Sequence, residues 1–285
     1  MELLTLKTFL CVVEEGGILA ASRKLNTVQS NVTTRIRRLE EELSVELFFR
    51  RGRGLELSPS GRVLLDYAKR MLQLETQAGN AMRMVGQSVG SLRIGSMETF
   101  AAVRLPPALK QLRAIHSGLE VSVETSTSSE LLEKVLTSKL DCAFVGGPVQ
   151  HPDIISEEIL LEELVLVRSK SHPDARKTLI LFREGCAYRA KALNWRRECG
   201  HQVGDIMELG TLEGILGCVA VGLGCTLMPK SVAIHSRYAQ DLKMDTLPPH
   251  LALIPTLMVS HRDTPPLACM QTLAQSVMES AVEVA

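Results

Sequence analysis

Three groups of polar residues have types and spacings that could do chemistry. The first is Gln29, Ser30, Asn31, Thr33, Thr34, Arg37 and Arg38, which fall outside the apolar stripe formed at helical spacing by Val32, Ile36, Leu39 and Leu43. Short amides and hydroxyls at the start of such a helix can exchange hydrogen bonds with base edges, and the cations further along suit phosphates. A helix that enters a major groove needs that order. The second group is Arg50, Arg51 and Arg53, set among Gly52 and Gly54. Cations on a glycine-rich tip suit close approach to a phosphate backbone or a minor groove, although the same tip taken alone also reads as a solvated loop. The third group is Ser96, Thr99, Thr127, Ser128 and Thr211, with Gly146 added from the end of an apolar strand. The hydroxyls stand where helical patterns begin after strands, and free amides and hydroxyls at helix N-termini favour an anion. Each one alone is a plain helix cap. If three such ends converge on one cleft, a small carboxylate is the natural ligand.

Other chemistries find no support. No GxSxG, HExxH or phosphate-loop string occurs, so no catalytic set is expected. Seven cysteines, an odd count without a CxxC pair, argue against a disulfide framework or a zinc site. Reduced, largely buried thiols are the preferred reading, and a redox sensor is the alternative. Cys186 beside Tyr188 and Arg189 could be a reactive thiol near a cation, but a buried turn residue fits better. The seven histidines lack metal-ligand spacing, and Gly222-Leu223-Gly224 is too short for a dinucleotide fingerprint. No metal and no cofactor are therefore expected. Thirty-two basic residues balance 32 acidic ones, so any attraction to nucleic acid must come from a local surface. No long apolar run and no signal-peptide pattern are found, which makes the cytoplasm the expected location.

These groups need elements to position them. Leu6, Phe9, Leu10 and Val13 predict a first helix stopped by Gly16-Gly17. A second short helix carries Ile18, Ala21 and Leu25, and a third begins near Val28 or Gln29 after a turn at Asn26-Thr27. Small Ala20, Ala21 and Ser22 allow the close approach of a helix-turn-helix. Residues 47–49 and 55–57 read as paired short strands with the arginine tip between them. From Pro59 the steps Leu64, Tyr67, Met71, Leu74, Ala78, Ala81 and Val85 follow an a/d heptad. A dimerising linker helix is preferred there, with a single amphipathic helix lying on its own domain as the alternative. Beyond residue 90, strands and helices alternate in two α/β sets. The first has strands at 91–96, 120–125 and 142–145, and the second has strands at 164–168, 178–182, 205–209, 227–229 and 253–260. Two similar lobes on one chain suggest a ligand between them.

The N-terminal string resembles the LysR-type transcriptional regulator family. The residues that carry the resemblance are Leu6-x-x-Phe9, Glu14-Glu15-Gly16, Ala21-Ser22-x-x-Leu25, Gln29-Ser30, Ile36 to Leu43, Leu47-Phe48, Arg50, Gly52-Arg53, Leu57-Ser58 and Gly61. Leu92-Arg93-Ile94-Gly95, Gly185-Cys186-x-Tyr188-Arg189, Leu209 to Glu213 and Gly222 to Pro229 extend it along nearly the whole chain. Two departures stand out. The family often has Ser-Gln-Pro where this chain has Val28-Gln29-Ser30, which leaves Thr27 or Asn26 as candidate N-cap. Gly17 stands where the family usually has Ser. The resemblance implies a winged helix-turn-helix at 1–58, a dimerising linker helix at 59–89, and a two-lobed periplasmic-binding-protein-like α/β effector domain at 90–285. The first lobe would be 90–161 plus 266–285, and the second 162–265. It implies double-stranded DNA and a small-molecule coinducer as partners, a homodimer or homotetramer, and RNA polymerase as a further contact. By the same resemblance, Gln29, Ser30 and Thr33 fall where bases are contacted and Arg53 falls at a wing tip in the minor groove. A cytosolic small-molecule binding protein whose N-terminal helices serve only assembly is the competing reading.

Overall fold

The computed structural model describes residues 1–51, 54–85, 90–172, 178–200, 205–265 and 267–283. The chain divides into two units, Met1–Val85 and Gly86–Ala285.

The first unit opens with three helices, α1 (Leu3–Glu14), α2 (Ile18–Lys24) and α3 (Gln29–Leu43). Gly16 takes a positive φ of 71° after α1, and Asn26 turns the chain between α2 and α3 with a φ of 49°. Left-handed geometry of this kind is cheap for Gly and tolerable for Asn. The strands β1 (Phe48–Arg51) and β2 (Gly54–Leu57) pair antiparallel, with Phe48 opposite Leu57. Helix α4 (Pro59–Val85) follows. Leu6, Phe9, Val12, Ala21, Val32, Ile36, Leu39, Leu47, Leu64 and Ala68 form one buried core. Phe9 meets Phe48 with ring centroids 5.4 Å apart, which ties the hairpin to α1. Gly61 permits a close approach where α4 begins: a Cβ there would stand 2.2 Å from the Leu47 carbonyl oxygen.

The heptad expectation for α4 holds only in part. Leu64 and Met71 pack onto the unit's own core, whereas Tyr67 and Leu74 are 55% and 57% exposed. From Leu64 to Leu74 one column of the seam is thus used within the chain and the other faces outward, while further along Ala78, of the inward column, is exposed. The side chains of Ala81 and Val85 lie outside the description.

The second unit contains β3 (Ser91–Ser96), α5 (Glu98–Val103), α6 (Leu105–Ile115), β4 (Glu120–Thr125), α7 (Ser128–Leu136), β5 (Cys142–Gly146) and β6 (Ile154–Ser169). It continues through β7 (Leu179–Leu181), α8 (Ala187–Glu198), β8 (Ile206–Glu208), α9 (Leu212–Ala220), β9 (Thr226–Pro229), α10 (Lys230–Ile234), β10 (Leu242–Thr246), α11 (Pro249–Ala252), β11 (Leu253–His261) and α12 (Ala268–Glu283). Strand β3 lies parallel between β4 and β5, as a βαβαβ rhythm demands. The partly buried Arg93–Asp141 pair, with Nη2 to Oδ1 at 2.7 Å, braces the entry to β5, and Phe100 stacks on Phe144 at 4.5 Å.

The sequence placed 253–260 in the second lobe. The structure corrects this: β11 runs antiparallel to β5 and to residues 154–163 of β6, inside the first lobe's sheet. A buried apolar run carries no mark of which sheet it joins, so periodicity could not assign it. Strand β6 is long enough to serve both lobes, since its C-terminal half pairs with β9 and β10. Strands β7 and β8 pair in parallel, and α9 packs over Val165, Val167 and Ile180. Between the strands, α6 is preceded by the short α5, and α10, α11 and β10 add to the elements read from the sequence. Among the described residues no helix is long and apolar enough to cross a membrane.

Candidate nucleic-acid interface and ligand cleft

On α3 the structure leaves Gln29, Ser30, Asn31, Thr34, Arg37 and Arg38 exposed and Thr33 half-buried, while Val32, Ile36 and Leu39 anchor the opposite face. The helix starts at Gln29. Its N-cap is Val28, which has no side-chain cap, and not Thr27 or Asn26. Thr27 instead accepts a hydrogen bond from the Asn31 amide at 3.1 Å. The Thr33 hydroxyl donates to the Gln29 carbonyl at 3.0 Å, so its proton is committed to the helix and only its lone pairs face outward. Three of the predicted cations escape such description: Arg53 and the side chains of Arg50 and Arg51 lie outside the described residues.

In the second unit a cleft of about 560 Å³, counting its open mouth, lies between the lobes. The first lobe lines it with Met97, Glu98 and Thr99 at the start of α5 and with Thr125 to Ser128 at the start of α7. The second lobe contributes Phe182, Arg183, Cys186, Tyr188 and Gly210. Of the predicted ligand residues, Thr99, Thr127 and Ser128 thus face the cleft, and Ser96, Gly146 and Thr211 do not. Ser96 is fully buried, with its hydroxyl donating to the Met97 carbonyl. Gly146 donates its N–H to Ser128 Oγ at 3.2 Å. Thr211 is exposed and caps α9, accepting from the Gly214 amide. The amide of Leu212 is taken by a residue of the other lobe, since Glu98 Oε1 accepts from it at 2.8 Å.

Sequence reasoning missed Glu98, Ser126, Arg183 and Tyr188 as cleft residues. Arg183 Nη2 donates to Glu130 Oε2 at 2.8 Å and to Ser126 Oγ at 3.2 Å, and Ser126 also donates to Glu130. The Ser126 hydroxyl, with help from Arg183, holds the Glu130 carboxyl below its ordinary pKa. Gly185 brings the lobes into backbone contact: the Ser129 amide donates to its carbonyl at 3.2 Å. With a φ of +84°, and with Thr127 Oγ1 only 2.8 Å from a would-be Cβ, this position suits only glycine.

Behind the cleft wall runs a buried chain of hydrogen bonds. Thr99 donates to the Tyr188 oxygen at 3.3 Å, Tyr188 donates to Glu162 Oε2 at 2.9 Å, and Thr256 donates to the same oxygen at 3.0 Å. Burial raises the Glu162 pKa, against the lowering effect of its two donors and of Arg104. Burial followed by the neighbouring Glu162 charge keeps Tyr188 protonated. Arg104 is itself buried, and its Nε and Nη1 carry no hydrogen bond among the described residues. Cys186 precedes α8, and burial raises its thiol pKa, which removes the basis for a reactive thiolate. Among the described residues no group of three or more His, Cys, Asp or Glu could hold a metal ion.

Two family models match the chain. The model described as "LysR substrate binding domain" covers residues 86–281, and "Bacterial regulatory helix-turn-helix protein, lysR family" covers residues 3–62. The chain belongs to the LysR family. Among relatives, it is 37% identical over 271 residues to the HTH-type transcriptional regulator GltR of Bacillus subtilis (strain 168), covering 93% of this chain and 92% of that protein. It is 36% identical to the HTH-type transcriptional regulator YofA of the same organism, covering 98% and 99%. These LysR-family relatives are named as regulators and not as enzymes. Among solved structures, full-length CbnR complexed with its target DNA aligns with a TM-score of 0.67 at 23% identity, covering 98% of this chain and all of that one. The two share a fold: N-terminal helix-turn-helix and two-lobed α/β domain.

Proposed function

We propose that this LysR-family chain regulates transcription by setting the exposed face of α3 into the major groove of a promoter, under control of a small effector held between the two lobes. The observation that supports the DNA reading is the division of α3. Its apolar face is spent on the unit's core, while six of the seven predicted polar residues stand exposed on the remaining surface. Gln29, Ser30, Asn31, Thr33 and Thr34 are the base-reading candidates, and Arg37, Arg38, Arg50, Arg51 and Arg53 the phosphate and minor-groove candidates. The effector residues are Thr99, Thr127 and Ser128 on the cleft wall, supported from behind by Ser96 and Gly146 and at the α9 end by Thr211. The linker helix and the effector domain begin near residues 59 and 90.

A homodimer follows from the need to place two recognition helices on one duplex, and the outward column of α4 offers it a surface. Higher assembly to a tetramer, contact with RNA polymerase and a cytoplasmic location complete the reading.

The test is selection of bound fragments from genomic DNA by the full-length protein, followed by titration across salt. Arg37→Ala and Arg38→Ala are expected to lower the slope of log affinity against log salt by about 0.9 for each phosphate that is no longer neutralised. Gln29→Ala is expected to alter sequence preference instead. Failure of the native chain to hold any duplex in dilute buffer would overturn the reading in favour of a binding protein whose helices only assemble it.

A further inference from the structure

The charges that line the cleft carry information about ligand class, given the reading that the effector binds there. Among the described residues the lining holds one group of each sign, Glu98 from the first lobe and Arg183 from the second. Arg183 is 52% exposed, and its partner Glu130 is 42% exposed. An ion pair this open to water is weak, so an incoming carboxylate can join or replace it without leaving a buried charge unpaired. Ser126 touches that guanidinium but gives its own proton to Glu130, whereas Thr127 and Ser128, lining the cleft where α7 begins, accept from the Glu130 and Gly146 amides and keep a hydroxyl proton to donate.

Glu98 is half-buried on the cleft wall. One of its oxygens accepts the Leu212 amide, and the other carries no hydrogen bond among the described residues. A simple anion entering the cleft therefore meets a like charge as well as a cation, and a simple amine meets the reverse. A molecule with both an ammonium and a carboxylate can engage both groups at once. Met97 and Phe182 supply an apolar wall for a modest side chain.

We propose that the effector is a zwitterion of the α-amino-acid class, its carboxylate toward Arg183 and the start of α7, and its ammonium toward Glu98. Glu98 is then a specificity-determining residue that excludes plain carboxylates. This refines the anion expected from helix termini alone.

The experiment uses the full-length protein and titration calorimetry with the common L-amino acids. Each is compared with the carboxylic acid lacking its amino group and the amine lacking its carboxylate. At least one amino acid is expected to bind at least tenfold more tightly than both truncated partners. Glu98→Gln keeps an oxygen to accept from Leu212 but removes the charge, so it is expected to erase the preference over the des-amino acid while leaving the melting temperature of the free protein near native. Arg183→Gln is expected to weaken the amino acid and the carboxylic acid alike. A des-amino acid that equals its amino acid on the native chain, or a preference that survives Glu98→Gln, overturns the proposal. If in those cases the carboxylic acid still shifts affinity for the selected DNA, the effector reading stands without the class. If no compound of any series binds, the class is overturned. If small-molecule extracts also leave DNA affinity unchanged, the effector reading falls with it.

Discussion

At the scale of single residues, Glu162 makes a pH-dependent claim. Burial raises its pKa in the folded chain, so the folded state keeps the proton over a range in which the unfolded chain has released it. The stability this proton carries is complete below the ordinary glutamate range and is lost as pH rises through the folded value, at about 1.4 kcal/mol per unit of separation between the two. Glu162→Gln keeps an oxygen for Tyr188 and Thr256 and fixes the neutral form. Its new NH2 group, and the loss of a carboxylate near Arg104, add offsets that do not vary with pH. Chemical denaturation from acid to neutral pH should show the native chain losing stability relative to the variant as pH rises. A difference that stays flat would place the titration elsewhere.

Gly61 and Arg183 show what a sequence does and does not disclose about individual residues. Gly61 stood out because it belongs to the string that resembles the family, and the structure supplies its reason in the 2.2 Å approach to the Leu47 carbonyl. Arg183 gave no signal. It sits in the loop between β7 and α8, where neither a repeat of two nor one of 3.6 applies, and its role depends on Ser126 and Glu130, more than 50 positions away. Long-range pairing of loop residues is invisible to local pattern.

At the scale of elements, the helix-turn-helix was legible nearly to the residue because each helix buries a clean stripe and each turn carries Gly or Asn. The lobes were legible as rhythm but not as sheets. Strand β11 is apolar enough to fit anywhere, and only its pairing with β5 settles its place. Ser96, Gly146 and Thr211 were chosen for lying at element ends. The structure shows that such a place does not say whether the group faces the cleft or the packing behind it. The joint of hairpin and helix gives this scale its prediction. Gly61→Ala pushes a methyl group into backbone, which cannot move as a side chain's end can. A loss on the order of 2 kcal/mol is expected in chemical denaturation. The Ser58 hydroxyl that accepts from the Gly61 amide at 2.8 Å fixes the same turn from the other side. A neutral outcome would mean that α4 can shift away from β1 and β2 at little cost.

At the scale of the whole molecule, the two columns of α4 divide the labour that a heptad assigns to one seam. Leu64 and Met71 are engaged with the chain's own core, so among the described residues a partner helix finds Tyr67, Leu74 and outward neighbours such as Ala78. Such a half-seam is a weak dimer interface by itself, and a second surface must add to it. In the other unit, edge strand β4 is exposed along its length and presents Val121 and Val123, 38% and 42% exposed. An edge strand with apolar side chains left open invites pairing, and a partner is one way of covering it. The dimer of the proposed function therefore has two candidate surfaces, and they can be separated. Tyr67→Glu with Leu74→Glu leaves the core column of α4 intact, so the chain should still fold while sedimentation shows a shift toward monomer by tenfold or more in dissociation constant. On the proposed reading, in which one duplex takes two recognition helices, half-site binding should survive and full-site affinity should fall. If the charged pair leaves association unchanged, α4 is not the seam, and β4 is the candidate surface that is left.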